Sequence, residues 1–311
     1  MHQPTNTSAA AIVRTIRPTQ WTKNLLLVAP LALAHKLTDG GRVAAVIFAI
    51  AAFSLCASGV YVLNDILDRK EDRLHPRKKF RPLAAGSLDV RRAVILMLVL
   101  IAGAFGLAQV AVGARFAGVL AIYLLLSVSY TMYFKQRLLV DVILLAALYT
   151  LRLIAGAVAA RVPLSDWILV FSLFFFLSLA FVKRFAELTV LRTVSTSDDI
   201  SAAGRNYTSG DLDILRSVGP SSGYIAILVF CLYINSDAVK PLYARPQVLW
   251  LICPILLYWI TRIWFFATRG ALVDDPVVFA VTDRVSWIAG IASGVILLLA
   301  TMRGGWIFAT S

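Results

Sequence analysis

Nine apolar runs dominate the 311-residue sequence, at roughly 21–37, 43–63, 93–112, 115–134, 138–160, 164–183, 219–237, 247–268 and 285–303. Most approach the about 20 residues that a helix needs to cross hydrocarbon. A transmembrane barrel would be written as short alternating segments, so these long continuous runs predict helices. Lipid offers backbone polar groups no other partner. The predicted fold class is therefore all-α, a polytopic membrane protein of nine transmembrane helices. Composition agrees. The chain is 59% hydrophobic and 15% charged, with a mean hydropathy of +0.80, whereas a soluble domain carries about 45–50% apolar and about 25% charged residues. That excludes a disordered chain, a coiled coil, a collagen-like chain and a water-soluble enzyme.

The charge distribution orients the helices. Of the 30 Lys and Arg, seven (Lys36, Arg42, Arg115, Arg161, Lys240, Arg245 and Arg303) fall on the connections after spans 1, 3, 5 and 7 or on the C-terminus. Arg152 lies within span 5, and the remaining 22 fall on the other face. Basic loops stay cytoplasmic, so the N-terminus and the loops after even spans are expected inside and the C-terminus outside. The net charge of +13 is explained this way, without a nucleic-acid partner. One domain is expected over 1–311, with a polar cytoplasmic leader at 1–20 and cytoplasmic active-site loops at 64–92 and 184–217. Cys56, Cys231 and Cys253 lie in apolar runs without a CxxC spacing and read as small buried residues.

The first of those loops holds Asn64, Asp65, Asp68 and Asp72. Three- and four-residue spacing places these on one helix face, where stacked carboxylates repel unless a cation neutralises them. Hard oxygen ligands of this kind suit Mg²⁺. The alternative is a solvated charged loop paired with Arg69, Lys70 and Arg73. A basic run follows, with Arg77, Lys78, Lys79 and Arg81. It reads either as an anchor for anionic lipid or as a phosphate clamp, for which Arg is a bidentate binder.

Asn64-Asp65-x-x-Asp68-x-x-x-Asp72 with the downstream Arg81-Pro82 and Gly86 resembles the first Asp-rich motif of the UbiA superfamily of intramembrane prenyltransferases. The resemblance covers nearly the whole chain. It implies nine helices around a central cavity that opens to the cytoplasmic side, with Asp-rich motifs that hold Mg²⁺ and a diphosphate. Aromatic-substrate members carry a second acidic motif after span 6. Here that place reads Lys183-Arg184-Phe185-Ala186-Glu187, which suits a phosphorylated substrate better than a neutral aromatic one. That stretch, and Arg17-Pro18-Thr19-Gln20-Trp21-Thr22-Lys23-Asn24, are similar to the decaprenyl-phosphate phosphoribosyltransferase branch.

The resemblance implies transfer of a phosphoribosyl group from phosphoribosyl pyrophosphate to a polyprenyl phosphate lipid, with release of diphosphate. Such an enzyme would make a cell-wall precursor in a bacterial plasma membrane. Asp65, Asp68 and Asp72 would be catalytic and, with Asn64, would hold Mg²⁺. Substrate contacts would come from Lys23, Asn24, Arg77, Lys78, Arg81, Lys135, Arg152, Lys183, Arg184 and Glu187. Three of these have a structural rival. Lys23 and Asn24 sit beside Trp21 at the start of span 1, where a lysine can simply snorkel. Arg152, about three turns beyond Asp141 in span 5, belongs to a cavity wall or to a buried ion pair. Asp274, Asp275 and Asp283 lie on the same face as the site. The long connection after span 6, which carries Arg192, Arg205, Asn206, Tyr207 and Arg216, is of a length usually functional or disordered.

Two rivals stand beside this reading. Prenyl transfer from a prenyl diphosphate to an aromatic or other acceptor would use the same Asp-rich motif. A lipid or small-molecule transporter would show inverted repeats and helices broken at matching positions; the sequence shows no such pairing.

Overall fold

A computed structural model of the chain describes residues 9–74, 78–194, 206–237, 239, 242–272 and 275–302. In chain order the helices are α1 (Ala9–Ile16), a 3-10 segment Pro18–Val28, α2 (Ala29–Leu33), α3 (Gly40–Leu67), α4 (Arg69–Leu74), α5 (Pro82–Ala85), α6 (Val90–Leu107) and a π turn Ala108–Val112. They continue with α7 (Ala114–Met132), α8 (Val140–Ala160), α9 (Asp166–Val194), α10 (Leu212–Asn235), α11 (Ile252–Thr268), α12 (Pro276–Thr282) and α13 (Arg284–Thr301).

Among the described residues eight helices are long and apolar enough to cross a membrane: α3, α6, α7, α8, α9, α10, α11 and α13, some with a flanking turn. They correspond to expected spans 2 to 9. The first expected span is built otherwise. Pro18–Val28 is a 3-10 helix of 11 residues and α2 adds only five. Lys23, Asn24 and Leu27 are buried on the 3-10 segment, and the three-residue turn of that helix keeps 21, 24 and 27 on one edge.

The two expected loops are largely helical. α3 runs to Leu67, and α4 follows after Asp68. Residues 82–92 are pinned by a buried cluster of Val62, Leu83, Leu88 and Ala93. Gly86, at φ 79, makes the left-handed turn after α5 that glycine tolerates best. In the second connection α9 extends to Val194, and α10 begins at Leu212 behind a capping box of Thr208 and Asp211. Residues 195–205, with Arg205, lie outside the described residues.

The chain divides into two compact units. The first comprises the chain to Lys135 and Leu151–Leu164, with α3 at its centre. Small residues let its elements approach, as is usual where lipid removes the hydrophobic drive between helices. A Cβ on Gly59 would lie 2.7 Å from Ile101 of α6, and one on Gly156 of α8 only 2.2 Å from the Leu27 carbonyl oxygen. The second unit comprises Gln136–Thr150 and the chain from Ser165. There α9, α10 and α11 meet over Gly219 and Gly223. A Cβ at Gly219 would fall 2.0 Å from the Trp264 ring. The Ser178 hydroxyl donates to the Gly219 carbonyl at 2.7 Å and accepts from Trp264 Nε1 at 3.1 Å.

Candidate active site

Ser54, Ser58, Tyr61 and Asp65 recur every three or four residues and so share one face of α3. The 3-10 segment and its cap run along that face. Asn24 Nδ2 donates to Ser54 Oγ at 2.9 Å. Trp21 Nε1 donates to Ser58 Oγ at 3.0 Å, and Ser58 Oγ donates to the Ile16 carbonyl at 2.8 Å. The Arg17 guanidinium lies 5.2 Å over the Tyr61 ring and binds Asp65. The result is a polar ladder down an otherwise apolar helix.

At the foot of the ladder Arg152 is buried. Its Nε donates to Asn24 Oδ1 at 3.1 Å and its Nη2 to the Tyr123 hydroxyl at 3.2 Å. Its guanidinium also lies 5.5 Å from the Phe53 ring and 5.1 Å from the Tyr123 ring. These neighbours place Arg152 among polar and aromatic groups of the first unit. Lys23, next to Asn24 in the sequence, is buried as well.

At the head of the ladder sit the acidic residues. Asp65 and Asp72 are buried. Arg81 Nη1 lies 3.2 Å from Asp65 Oδ1 and 2.7 Å from Asp72 Oδ2. Asp68 caps the end of α3 and turns to Lys135, whose Nζ is 2.5 Å from its Oδ1. Three carboxylates are thus matched by Arg17, Arg81 and Lys135. Burial is the main influence on Arg17, lowering its pKa, and Asp65 opposes it.

The expected metal set of Asn64, Asp65, Asp68 and Asp72 is therefore narrower than its spacing implied. Among the described residues no three His, Cys, Asp or Glu gather as a metal-ligand group. Asp68 is drawn aside because the helix ends at it. Asn64 is half-buried, and its backbone carbonyl accepts from the Asp68 amide at 2.9 Å, a helical bond that does not engage its side chain. Asp65 and Asp72 still fit a divalent cation. Both aim an oxygen at one point, now filled by a positive nitrogen of Arg81, and Mg²⁺ commonly takes one or two carboxylates together with substrate phosphates. Of the other expected contacts, Lys78 is exposed on a 3-10 turn and Arg77 lies outside the described residues.

Lys183, Arg184 and Glu187 belong to the second unit. Arg184 is fully buried; its Nε donates to Asp141 Oδ2 at 2.5 Å and its Nη1 to Glu187. The Tyr207 hydroxyl donates to Asp141 Oδ1 at 2.7 Å and accepts from the Leu139 amide at 3.1 Å. Burial, reinforced by the Asp141 hydrogen bond, pushes the Tyr207 pKa up and keeps it a donor. Lys183 Nζ lies 2.9 Å from Asp275 Oδ2, and Asp275 caps α12. Asp283 caps α13 and pairs with Arg262 at 2.7 and 3.0 Å; Asp274 is outside the described residues. Arg17, Tyr123 and Tyr207 are absent from the expected site. Arg17 stands in the stretch similar to the phosphoribosyltransferase branch and Tyr207 in the long connection after span 6, whereas nothing in the sequence singles out Tyr123.

The family model of the UbiA prenyltransferases matches residues 25–282. The chain belongs to the UbiA prenyltransferase family and is a transferase of the membrane. The nodulation protein NoeC of Azorhizobium caulinodans is 37% identical over 285 residues, covering 91% of both chains. A Sinorhizobium fredii protein is 35% identical over 287 residues; this chain spans 91% of itself and 55% of that relative. The decaprenyl-phosphate phosphoribosyltransferase of Mycobacterium tuberculosis is 33% identical over 311 residues, covering 94% of this chain and 97% of that one. In fold, the chain matches a UbiA homolog from Archaeoglobus fulgidus bound to GPP and Mg²⁺, with a TM-score of 0.69, 15% identity and coverage of 93% and 99%.

Proposed function

We propose that the chain moves a phosphoribosyl group from phosphoribosyl pyrophosphate to a polyprenyl phosphate. The observation that carries this reading is the end-to-end similarity to the mycobacterial phosphoribosyltransferase. The buried acidic cluster with its own ring of cations supports it, because those cations suit a substrate rich in phosphate.

In the proposed reaction the bond from the anomeric carbon to the diphosphate oxygen breaks. A bond from that carbon to a phosphate oxygen of the lipid forms, and diphosphate leaves. Asp65 and Asp72 would hold the divalent cation, Mg²⁺ being the fitting choice, with Asp68 and Asn64 behind them. When bound there, the cation neutralises charge that develops on the leaving diphosphate. Arg81, Arg17 and Lys135 carry the donors that exchange carboxylate for diphosphate oxygens, and Arg guanidinium groups do this in bidentate fashion. Arg152, held by Asn24 and Tyr123, presents a fixed charge for the lipid phosphate, and Lys23, next to Asn24 in the sequence, adds a second. The attacking phosphate oxygen is already anionic at neutral pH, so no general base is required. Arg184 is assigned a structural role by its pairing with Asp141 and Glu187.

The site is assigned to the cytoplasmic face of a bacterial plasma membrane, with the C-terminus outside, on the strength of the basic loops. The 3-10 segment with α2 is taken as the ninth transmembrane element: at about 2.0 and 1.5 Å per residue it reaches nearly the length of a span.

Prenyl transfer is the second reading, favoured by the GPP and Mg²⁺ held by the Archaeoglobus homolog of the same fold. The test uses purified protein, Mg²⁺, a polyprenyl phosphate and radiolabelled phosphoribosyl pyrophosphate. Metal-dependent label in the organic phase is expected. Label that stays aqueous, while a labelled prenyl diphosphate yields a new lipid product, overturns the proposal in favour of prenyl transfer.

A further inference from the structure

The basic run after α4 is divided by the fold. Arg81 turns onto Asp65 and Asp72, whereas Lys78 and Lys79 are exposed. Phe80, between them, is 71% exposed, and Leu74 at the end of α4 is 88% exposed. Lys79 Nζ lies 5.2 Å over the Phe80 ring. Exposed apolar side chains within the spans meet hydrocarbon. Leu74 and Phe80 lie outside every span, between the one that ends at Leu67 and the one that begins at Val90.

α1 adds to the same face of the first unit. It packs against α3 and α5, burying Ala11 and Thr15, and leaves Ile12 37% and Val13 51% exposed beside Arg14. Its last carbonyl, at Ile16, bonds Ser58. Bases with exposed apolar neighbours outside the spans complement an anionic lipid surface.

We propose that α1, Leu74 at the end of α4 and the Lys78–Phe80 turn form an anchor for acidic phospholipids of the host bilayer. The anchor is joined to the site by the chain itself. Arg17 directly follows α1, Arg81 directly follows Phe80, and both reach Asp65. Engagement of the anchor therefore steadies the two arginines that share one carboxylate.

The test places the full chain in nanodiscs of phosphatidylcholine alone or with added phosphatidylglycerol, and follows trypsin cleavage after Lys78 and Lys79 by mass spectrometry. Acidic lipid is expected to slow cleavage about fivefold, an effect that high salt weakens. Leu74→Ser with Phe80→Ser, both exposed, should abolish the protection without loss of the folded species on size exclusion. Equal cleavage in both bilayers, or protection that survives in the double variant, overturns the proposal. Cleavage needs no substrate, so the result stands apart from the phosphoribosyl reading.

Discussion

Lys135 Nζ lies 2.5 Å from Asp68 Oδ1, across 67 residues of chain. It is one of three cations that face the three carboxylates at the end of α3. Each of those carboxylates has a cation beside it before any substrate arrives. Phosphate oxygens and a divalent cation can then enter by exchange, without leaving a buried charge unpaired.

That pairing makes Asp72 a sensitive position. Asp72→Asn is expected to lower turnover about 100-fold or more, with little change in the melting temperature, because Arg81 is partly solvated and keeps Asp65 as its partner. Turnover would be read with labelled donor over a Mg²⁺ titration. A variant that keeps near-native turnover would remove Asp72 from the site.

Gly156 is expected to tolerate no side chain. Its Cβ would fall 2.2 Å from the Leu27 carbonyl oxygen, and backbone cannot swing away as a flexible side chain can. Gly156→Ala should cost about 1–3 kcal/mol, seen as a lower melting temperature in detergent. It should also weaken use of the lipid phosphate, since Arg152 lies one turn earlier on the same helix and meets Asn24. Unchanged stability would mean that the 3-10 segment yields freely.

Arg184 separates structural from substrate roles. Its ion pair with Asp141 is fully buried, and losing one partner of such a pair costs about 3–5 kcal/mol. Asp141→Asn and Arg184→Met should each be strongly destabilising, and the double variant should cost less than their sum. Thermal melts of the four proteins complete the cycle. Raised KM for the lipid in Arg184→Met at an unchanged melting temperature would instead return Arg184 to substrate binding.

Asp283 sets a pH dependence. The hydrogen bond from Arg262 holds its pKa down to about 2, below the about 3.9 of an unfolded chain. Between those values the unfolded state binds more protons, so stability rises with pH. The contribution is complete above about 4 and disappears as pH falls through about 2. Asp283→Asn should flatten this part of the melting-temperature profile. An equally steep acid limb in the variant would assign the dependence to other carboxylates.

Helices were legible in the sequence because a continuous apolar run leaves the backbone one way to satisfy its polar groups in lipid. The acidic cluster was legible for a similar reason, since 65, 68 and 72 come together within two turns of helix. Both are local facts, and local spacing suffices for them. Tertiary packing decided the rest. The first apolar run became a 3-10 segment because Trp21 and Asn24 find partners on α3 at Ser58 and Ser54. Lys78 and Arg81 are neighbours in one basic run, yet one faces out and the other joins two carboxylates. Arg184 has the composition of a phosphate binder and is buried on Asp141, 43 residues away. Spacing determines which side chains share a face; only the packing of distant elements determines what that face meets.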